Sequence, residues 1–381
     1  MAEAFRLLEQ GERLLAEQRL EEAIERFRRY LDDQPDDPEG HYNLGLALFE
    51  KGSDDEAKLR FQRVIDLDPE DSRGYDGMAL VLMDRGEYQG ALQYYQRATE
   101  RDPDNADLFN EMGIIYQELG DGTQALEMYE KALSLNPNLG YPYYNKARVL
   151  MDLGRCAEAI GWLEKSVSLY KADEEKLADV LFELATAHEE LSENEEALRV
   201  YGEILMLDPG SLEALASIAN VYIETGVFEQ AILYLDRILS IEPDNEYALL
   251  EKSYACGCLG DTTMEMNLLD QCLRLNPDNK YAISNKGALC MEKGDLEQAQ
   301  RLFLQALEVD LDYPWAYYNL GCLHALRDEK DLALAYLEKA LGMDPDLAEE
   351  AVYDSCLKGL AADNEFRRLL EDYSKESGSG N

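Results

Sequence analysis

Positive charge is scarce in this chain. Its 381 residues carry 36 Lys plus Arg against 79 Asp plus Glu, a formal net charge of −43. Such a surface repels nucleic-acid phosphates and anionic lipid headgroups, so no nucleic-acid partner and no membrane partner is expected. Histidine is scarcer still, and His41, His188 and His324 fall on widely separated helical segments. There is no Gly-rich phosphate loop and no nucleophile elbow, so no catalytic residue, no enzymatic activity and no cofactor is expected. The seven cysteines are odd in number and include no CxxC pair, which fits buried thiols in a reducing compartment better than a disulfide framework. Cys256, Cys272 and Cys290 lie at packing positions of adjacent segments, but four ligands at metal-site spacing are not found, and no metal is expected. No apolar run approaches a membrane span. The start, MAEAFRLLEQ, has no basic segment ahead of an apolar one, so no signal peptide is visible and a cytoplasmic location is expected.

Proline is infrequent but regularly placed. Pro35, Pro69, Pro103 and Pro137 follow one another at intervals of 34 residues, and Pro209, Pro243, Pro277 and Pro345 resume the series. One period of this series reads ADLFNEMGIIYQELGDGTQALEMYEKALSLNPNL, residues 106–139. Phe109, Met112, Gly113 and Tyr116 recur at helical spacing and mark one face of a first helix. Gly120 ends it, and Asp121 can cap a second helix whose stripe is Ala125, Tyr129 and Ala132. Asn136-Pro137 stops that helix. Neither helix can bury its apolar face alone, so the unit needs neighbours.

This pattern resembles the tetratricopeptide repeat over residues 4–347, in ten copies starting near 4, 38, 72, 106, 140, 178, 212, 246, 280 and 314. The eighth position of each copy is small: Gly11, Gly45, Ala79, Gly113, Ala147, Ala185, Ala219, Ser253, Gly287 and Gly321. The twentieth is Ala23, Ala57, Ala91, Ala125, Ala159, Ala197, Ala231, Ala299 and Ala333, with Glu265 the exception. The resemblance implies an all-α fold, an α-solenoid in which antiparallel helix pairs stack into a right-handed superhelix. Residues 1–347 would form the array, 348–373 capping helices with Ala351, Leu357, Leu360, Phe366, Leu369 and Leu370 as their apolar side, and 374–381 a solvated, disordered tail. One irregularity interrupts the period: Ala197 follows Ala159 by 38 residues, so four extra residues lie within 170–180. Without Gly or Pro there, lengthened helices are expected, not a flexible linker.

Helix geometry sets positions 2, 5, 6, 9, 12 and 13 of each first helix opposite its packing face. In the family that face lines a concave groove that binds extended peptides or partner helices. Carried onto this chain, the groove presents Tyr42, Asn43, Arg73, Asn110, Tyr144, Asn145, Arg148, Phe182, Asn220, Tyr247, Tyr281, Asn285, Trp315, Tyr318 and Asn319. Amides suit a peptide backbone because each offers donor and acceptor together. For any one of these residues, packing between repeats is an equal use. Position 13 adds a ladder of carboxylates, Glu50, Asp84, Glu118, Asp152, Glu190, Glu224 and Glu292, expected along one edge of the groove. Each stands at a helix C-terminus, where the helix dipole disfavours an anion, so capping does not explain them. They either select a basic segment or form part of a solvated acidic surface.

The family's clamp for acidic chaperone tails would need Lys, Asn, Asn, Lys and Arg where this chain has Leu8, Glu12, Asn43, Arg73 and Gly77. An acidic carboxylate tail is therefore not the expected ligand. The expected function is a non-catalytic scaffold or adaptor that binds a protein or peptide partner, basic in character. The alternatives are a regulatory subunit of an enzyme complex and an acidic chaperone that sequesters basic proteins.

Overall fold

The computed structural model describes residues 2–377, and among them every regular element is helical. The chain forms two compact units, Met1–Leu207 and Asp208–Asn381. The first holds six helix pairs: α1 (Ala2–Ala16) and α2 (Leu20–Asp33), α3 (Pro38–Glu50) and α4 (Asp54–Leu67), α5 (Ser72–Asp84) and α6 (Tyr88–Arg101), α7 (Ala106–Glu118) and α8 (Gly122–Leu135), α9 (Gly140–Asp152) and α10 (Cys156–Tyr170), α11 (Glu174–Glu190) and α12 (Asn194–Leu207). The second holds four: α13 (Leu212–Glu224) and α14 (Phe228–Ile241), α15 (Glu246–Cys258) and α16 (Thr262–Leu275), α17 (Lys280–Glu292) and α18 (Leu296–Val309), α19 (Pro314–Leu326) and α20 (Lys330–Met343). It ends in α21 (Leu347–Tyr353), a 3-10 helix (Ser355–Leu360) and α22 (Asn364–Ser377).

Local chemistry sets the helix ends. Most first helices start on an Asp, Asn or Ser whose side chain accepts a backbone N–H, as Asp37 does from Gly40 and Asn245 from Ala248. The turn inside the repeat needs a left-handed residue, and Gly120 supplies it at φ +74°. Three turns do without glycine, placing Gln18, Ser192 and Asp328 at φ 57°, 57° and 63°. In two of these the turn is tied by a side-chain bond, His188 Nδ1 to Glu193 at 2.7 Å and His324 Nδ1 to Glu329 at 2.5 Å. These contacts help offset the strain of a side chain in that conformation. They also give two of the three buried histidines a structural use.

The core repeats with the period. The alanines of position 20 are fully buried, and so is the large side chain four residues on, among them Phe61, Tyr95, Tyr129, Tyr201 and Phe303. Burial of such a side chain stabilises by roughly 1.5–3 kcal/mol. Gly113 must stay small because a Cβ there would stand 2.5 Å from the Tyr129 ring. Within each unit successive first helices also touch, α1 with α3, α3 with α5, α7 with α9, α9 with α11 and α17 with α19.

The irregularity takes a definite form. α10 is 15 residues long and α11 is 17, against 14 and 13 in the regular repeats beside them. The extra length is mainly one added turn at the start of α11, with Asp173 accepting the Lys176 N–H at 3.3 Å. α10 and α11 pack along each other, so the insertion opens no gap, and the division between units falls after Leu207 instead.

The terminal segment differs in detail from two plain helices. α21 is only seven residues long, because Asp354 stops it and accepts the Cys356 N–H at 2.7 Å to start the 3-10 helix. Ala351, Leu357, Leu360 and Phe366 are buried, as an apolar inner side requires. The tail expected from Ser374 is shortened, since α22 continues through Ser377; residues 378–381 lie outside the described residues. All seven cysteines are free; five are buried, while Cys258 is exposed and Cys356 is half-buried.

Candidate functional site

Each first helix turns positions 2, 5, 6 and 9 to one side, and a simple contact rule joins successive repeats there. Position 5 of one repeat meets position 6 of the next. Asn145 donates to Asn110 at 3.1 Å, Asn319 donates to Ser284 at 3.3 Å, and the Tyr144 hydroxyl reaches Glu183 at 3.5 Å. The seam between repeats therefore consumes some of the residues expected in the groove. Asn110 is buried, and Asn145 is half-buried against it. Tyr318 is buried too, at 3% exposure, because its hydroxyl donates to Asp354 of the terminal segment at 3.0 Å. For these two, Asn110 and Tyr318, the expectation of an open contact surface is corrected to packing.

Other expected residues keep an accessible face. Arg73 lies over the Tyr42 ring at 5.4 Å and pairs with Asp71 at 2.8 Å. Asn43 donates to Glu12 at 3.0 Å. Arg148 is exposed, 5.8 Å over Tyr144 and 3.6 Å from Glu183. Phe182 stacks edge-on against Tyr201 at 5.6 Å. In the second unit the Tyr247 hydroxyl bonds Asn220, Tyr281 meets Tyr313 edge-on, and Trp315 meets Tyr318 edge-on at 5.6 Å. Tyr247, Tyr281 and Trp315 all occupy position 2 and are 37%, 49% and 41% exposed. Asn285 lines a cavity of about 350 Å³ with Tyr254, Cys258, Glu265 and Glu292. Glu265 enters that cavity because Gly257 leaves room; a Cβ on Gly257 would stand 2.9 Å from its carboxyl carbon. Burial raises the Glu265 carboxyl above its ordinary range, and Glu292 adds to this.

All seven carboxylates of position 13 are exposed. Glu50 accepts from Gln18 and Glu118 from the Tyr88 hydroxyl, each at 3.2 Å, so both lie beside the turn of the preceding repeat. Among the described residues, none of the seven pairs with Lys, Arg or His.

Four half-buried carboxylates on this face were not singled out by sequence. Glu183, Glu111 and Glu251 occupy position 6 of their repeats and Asp76 position 5. Burial, with Glu111 and Asp107 nearby, raises Asp76 to about 7, and burial likewise raises Glu111. Their signal was register: positions 5 and 6 belong to the same face as the amides. Among the described residues no group of three or more His, Cys, Asp or Glu is placed to hold a metal ion, and no helix is long and apolar enough to cross a membrane.

A stack of antiparallel helix pairs that presents one polar, aromatic face defines a helical-repeat interaction scaffold. Models of the tetratricopeptide repeat match residues 8–72, 106–139, 139–208, 189–253 and 281–346, and a TPR repeat model matches 79–120. The chain belongs to the tetratricopeptide-repeat family. A comparison with curated proteins finds no match. Among solved structures, a tetratricopeptide repeat protein from Parabacteroides merdae is similar at 19% identity and a TM-score of 0.54, over 71% of this chain and 99% of that one. YrrB, described as a TPR protein with an unusual peptide-binding site, is 28% identical over 50% of this chain and 95% of its own, at a TM-score of 0.43. MamA is 22% identical over 46% and 96%, at a TM-score of 0.37. Repeats of this family are generally non-catalytic scaffolds for protein interaction.

Proposed function

We propose that this protein is a non-catalytic adaptor whose first-helix face takes an extended or helical segment rich in Lys or Arg from a partner protein in the cytoplasm. The observation that carries this reading is the set of seven exposed position-13 carboxylates, none matched by a cation among the described residues. An unpaired ladder leaves its potential available to an incoming cation, whereas an ion-paired one would not. The amides and aromatics beside it provide backbone hydrogen bonds and rigid contact area once the segment has arrived. Binding of fluorescent Lys/Arg-rich peptides, followed by surface plasmon resonance across a salt series, tests the reading. The expected result is association that falls steeply between 50 and 300 mM salt, on the scale set by a Debye length of roughly 10 Å at 0.1 M. Equal binding of a neutral peptide of the same length would sink it.

A further inference from the structure

The tyrosine of position 24 reveals an anomaly in the third repeat. In the fourth repeat the Tyr129 hydroxyl donates to Gln117 at 3.2 Å, and in the sixth the Tyr201 hydroxyl meets Glu189. Gln117 and Glu189 both stand at position 12 of the first helix. In the third repeat that position is Met83, which offers no comparable acceptor. The Tyr95 side chain is fully buried, and its hydroxyl has no hydrogen-bond partner. The groups whose charge reaches that hydroxyl are Asp76, Glu111 and Tyr42.

Asp76 on α5 and Glu111 on α7 stand in the position-5 to position-6 relation that brings Asn110 and Asn145 to 3.1 Å one repeat later. Asp76 has no hydrogen-bond or ion partner among the described residues, and Glu111 has only the Asn110 amide, at 3.2 Å. The neighbouring Arg73 is held by Asp71, with Nε at 3.0 Å and Nη2 at 2.8 Å. Asp107, the remaining nearby acid, meets the Tyr141 hydroxyl. Two half-buried carboxylates thus stand near enough for their charge to act on an orphaned phenol, and among the described residues neither is paired with a cation. That arrangement is unfavourable by itself and is relieved by a bound cation.

We propose that Asp76, Glu111 and Tyr95 form an anchor pocket for the primary ammonium of a lysine in the bound segment. An ammonium offers three donors around one compact charge, matching two carboxylates and a phenol oxygen, while a planar guanidinium asks for a coplanar fork on one carboxylate. This inference rests on the reading of the face as the surface for a basic segment.

The test titrates acetyl-hexalysine amide and acetyl-hexa-arginine amide into the full chain by calorimetry, in two buffers of different ionisation enthalpy. Wild type should bind hexalysine more tightly. Because burial raises the Asp76 carboxyl to about 7 and the group must ionise to pair, binding near pH 7 should release protons. The Asp76→Asn/Glu111→Gln variant should lose about tenfold for hexalysine, less than twofold for hexa-arginine, and the proton release. Tyr95→Phe, which removes only the orphaned hydroxyl, should keep or raise the unfolding midpoint while weakening hexalysine severalfold. If hexalysine binds wild type but these variants bind it unchanged, or lose both peptides equally, the pocket is overturned and the basic-segment reading stands. If neither peptide binds wild type, that reading falls and the pocket falls with it.

Discussion

The two compact units share a frame and differ in what they hang on it. In both, the position-24 side chain is buried under a small residue at position 8, from Phe27 and Tyr95 in the first unit to Leu235 and Phe303 in the second. On the first-helix face the first unit carries charge: Arg73, Asp76, Glu111, Arg148 and Glu183. The second keeps one such half-buried charge, Glu251, and carries exposed rings at position 2 of three consecutive repeats, Tyr247, Tyr281 and Trp315. Packing fixes one side of each helix, and the other is free to specialise without altering the frame. The difference predicts that charge dominates binding at the first unit and that ring contact dominates it at the second.

Charge reversal in the first unit breaks this comparison most strongly. Asp84, Glu118 and Asp152 changed together to Lys should slow association of a Lys/Arg-rich peptide by about a hundredfold at low salt and flatten its salt dependence. Stopped-flow association across a salt series measures this; an unchanged slope would reduce the ladder to a solvated surface. In the second unit, Trp315→Ala should raise the dissociation rate by roughly thirtyfold, about 2 kcal/mol, and leave the salt slope alone. A changed slope with an unchanged off-rate would reverse the assignment of roles. The shared frame is tested by Ala125→Leu in one unit and Ala299→Leu in the other. Both alanines are fully buried, so each variant should lose about 1–3 kcal/mol in urea unfolding. An unchanged midpoint for either would refute tight packing at that site.

The smallest effect concerns the one repeat that departs from the frame. Glu265 replaces the buried alanine, is half-buried, and has no cation partner among the described residues. Its carboxyl is raised by burial, so an unfolded chain ionises it more readily than the folded one does. Stability should therefore fall as pH rises through the ordinary Glu range and level off above the raised value. Glu265→Ala should remove that pH dependence and gain about 0.5–1 kcal/mol at neutral pH. A loss of stability would show the carboxylate to be paired.

The frame was legible because proline, glycine and alanine recur where helices stop, turn and touch. First helices open at Pro38, Ser72, Ala106 and Gly140, at the repeat starts read from the sequence. α11 opens four residues ahead of its repeat, at Glu174, because Asp173 caps it and no glycine or proline marks the place. The face was legible only in part. Position 5 lies both on the face and at the seam, so Asn110 and Tyr318 went to packing. The partner that buries Tyr318, Asp354, lies outside the repeat pattern altogether. Asp76 and Glu111 escaped notice because two more acids mean little in so acidic a chain. What distinguishes them is Met83, and its meaning appears only once Tyr95 is seen without a partner.

The added turn of α11 behaves like an insertion that respects a reading frame. Four residues advance a helix by about 400°, one full turn and roughly 40° more. Residues beyond the insertion thus return nearly to their former phase, and Phe182 and Glu183 still point to the same side as Tyr144 and Asn145. Two residues added within the helix would advance it by about 200° and exchange face for core. Length in such a chain can change by whole turns at a helix end without rewriting what the face says, and the start of α11 is where this protein has used that freedom.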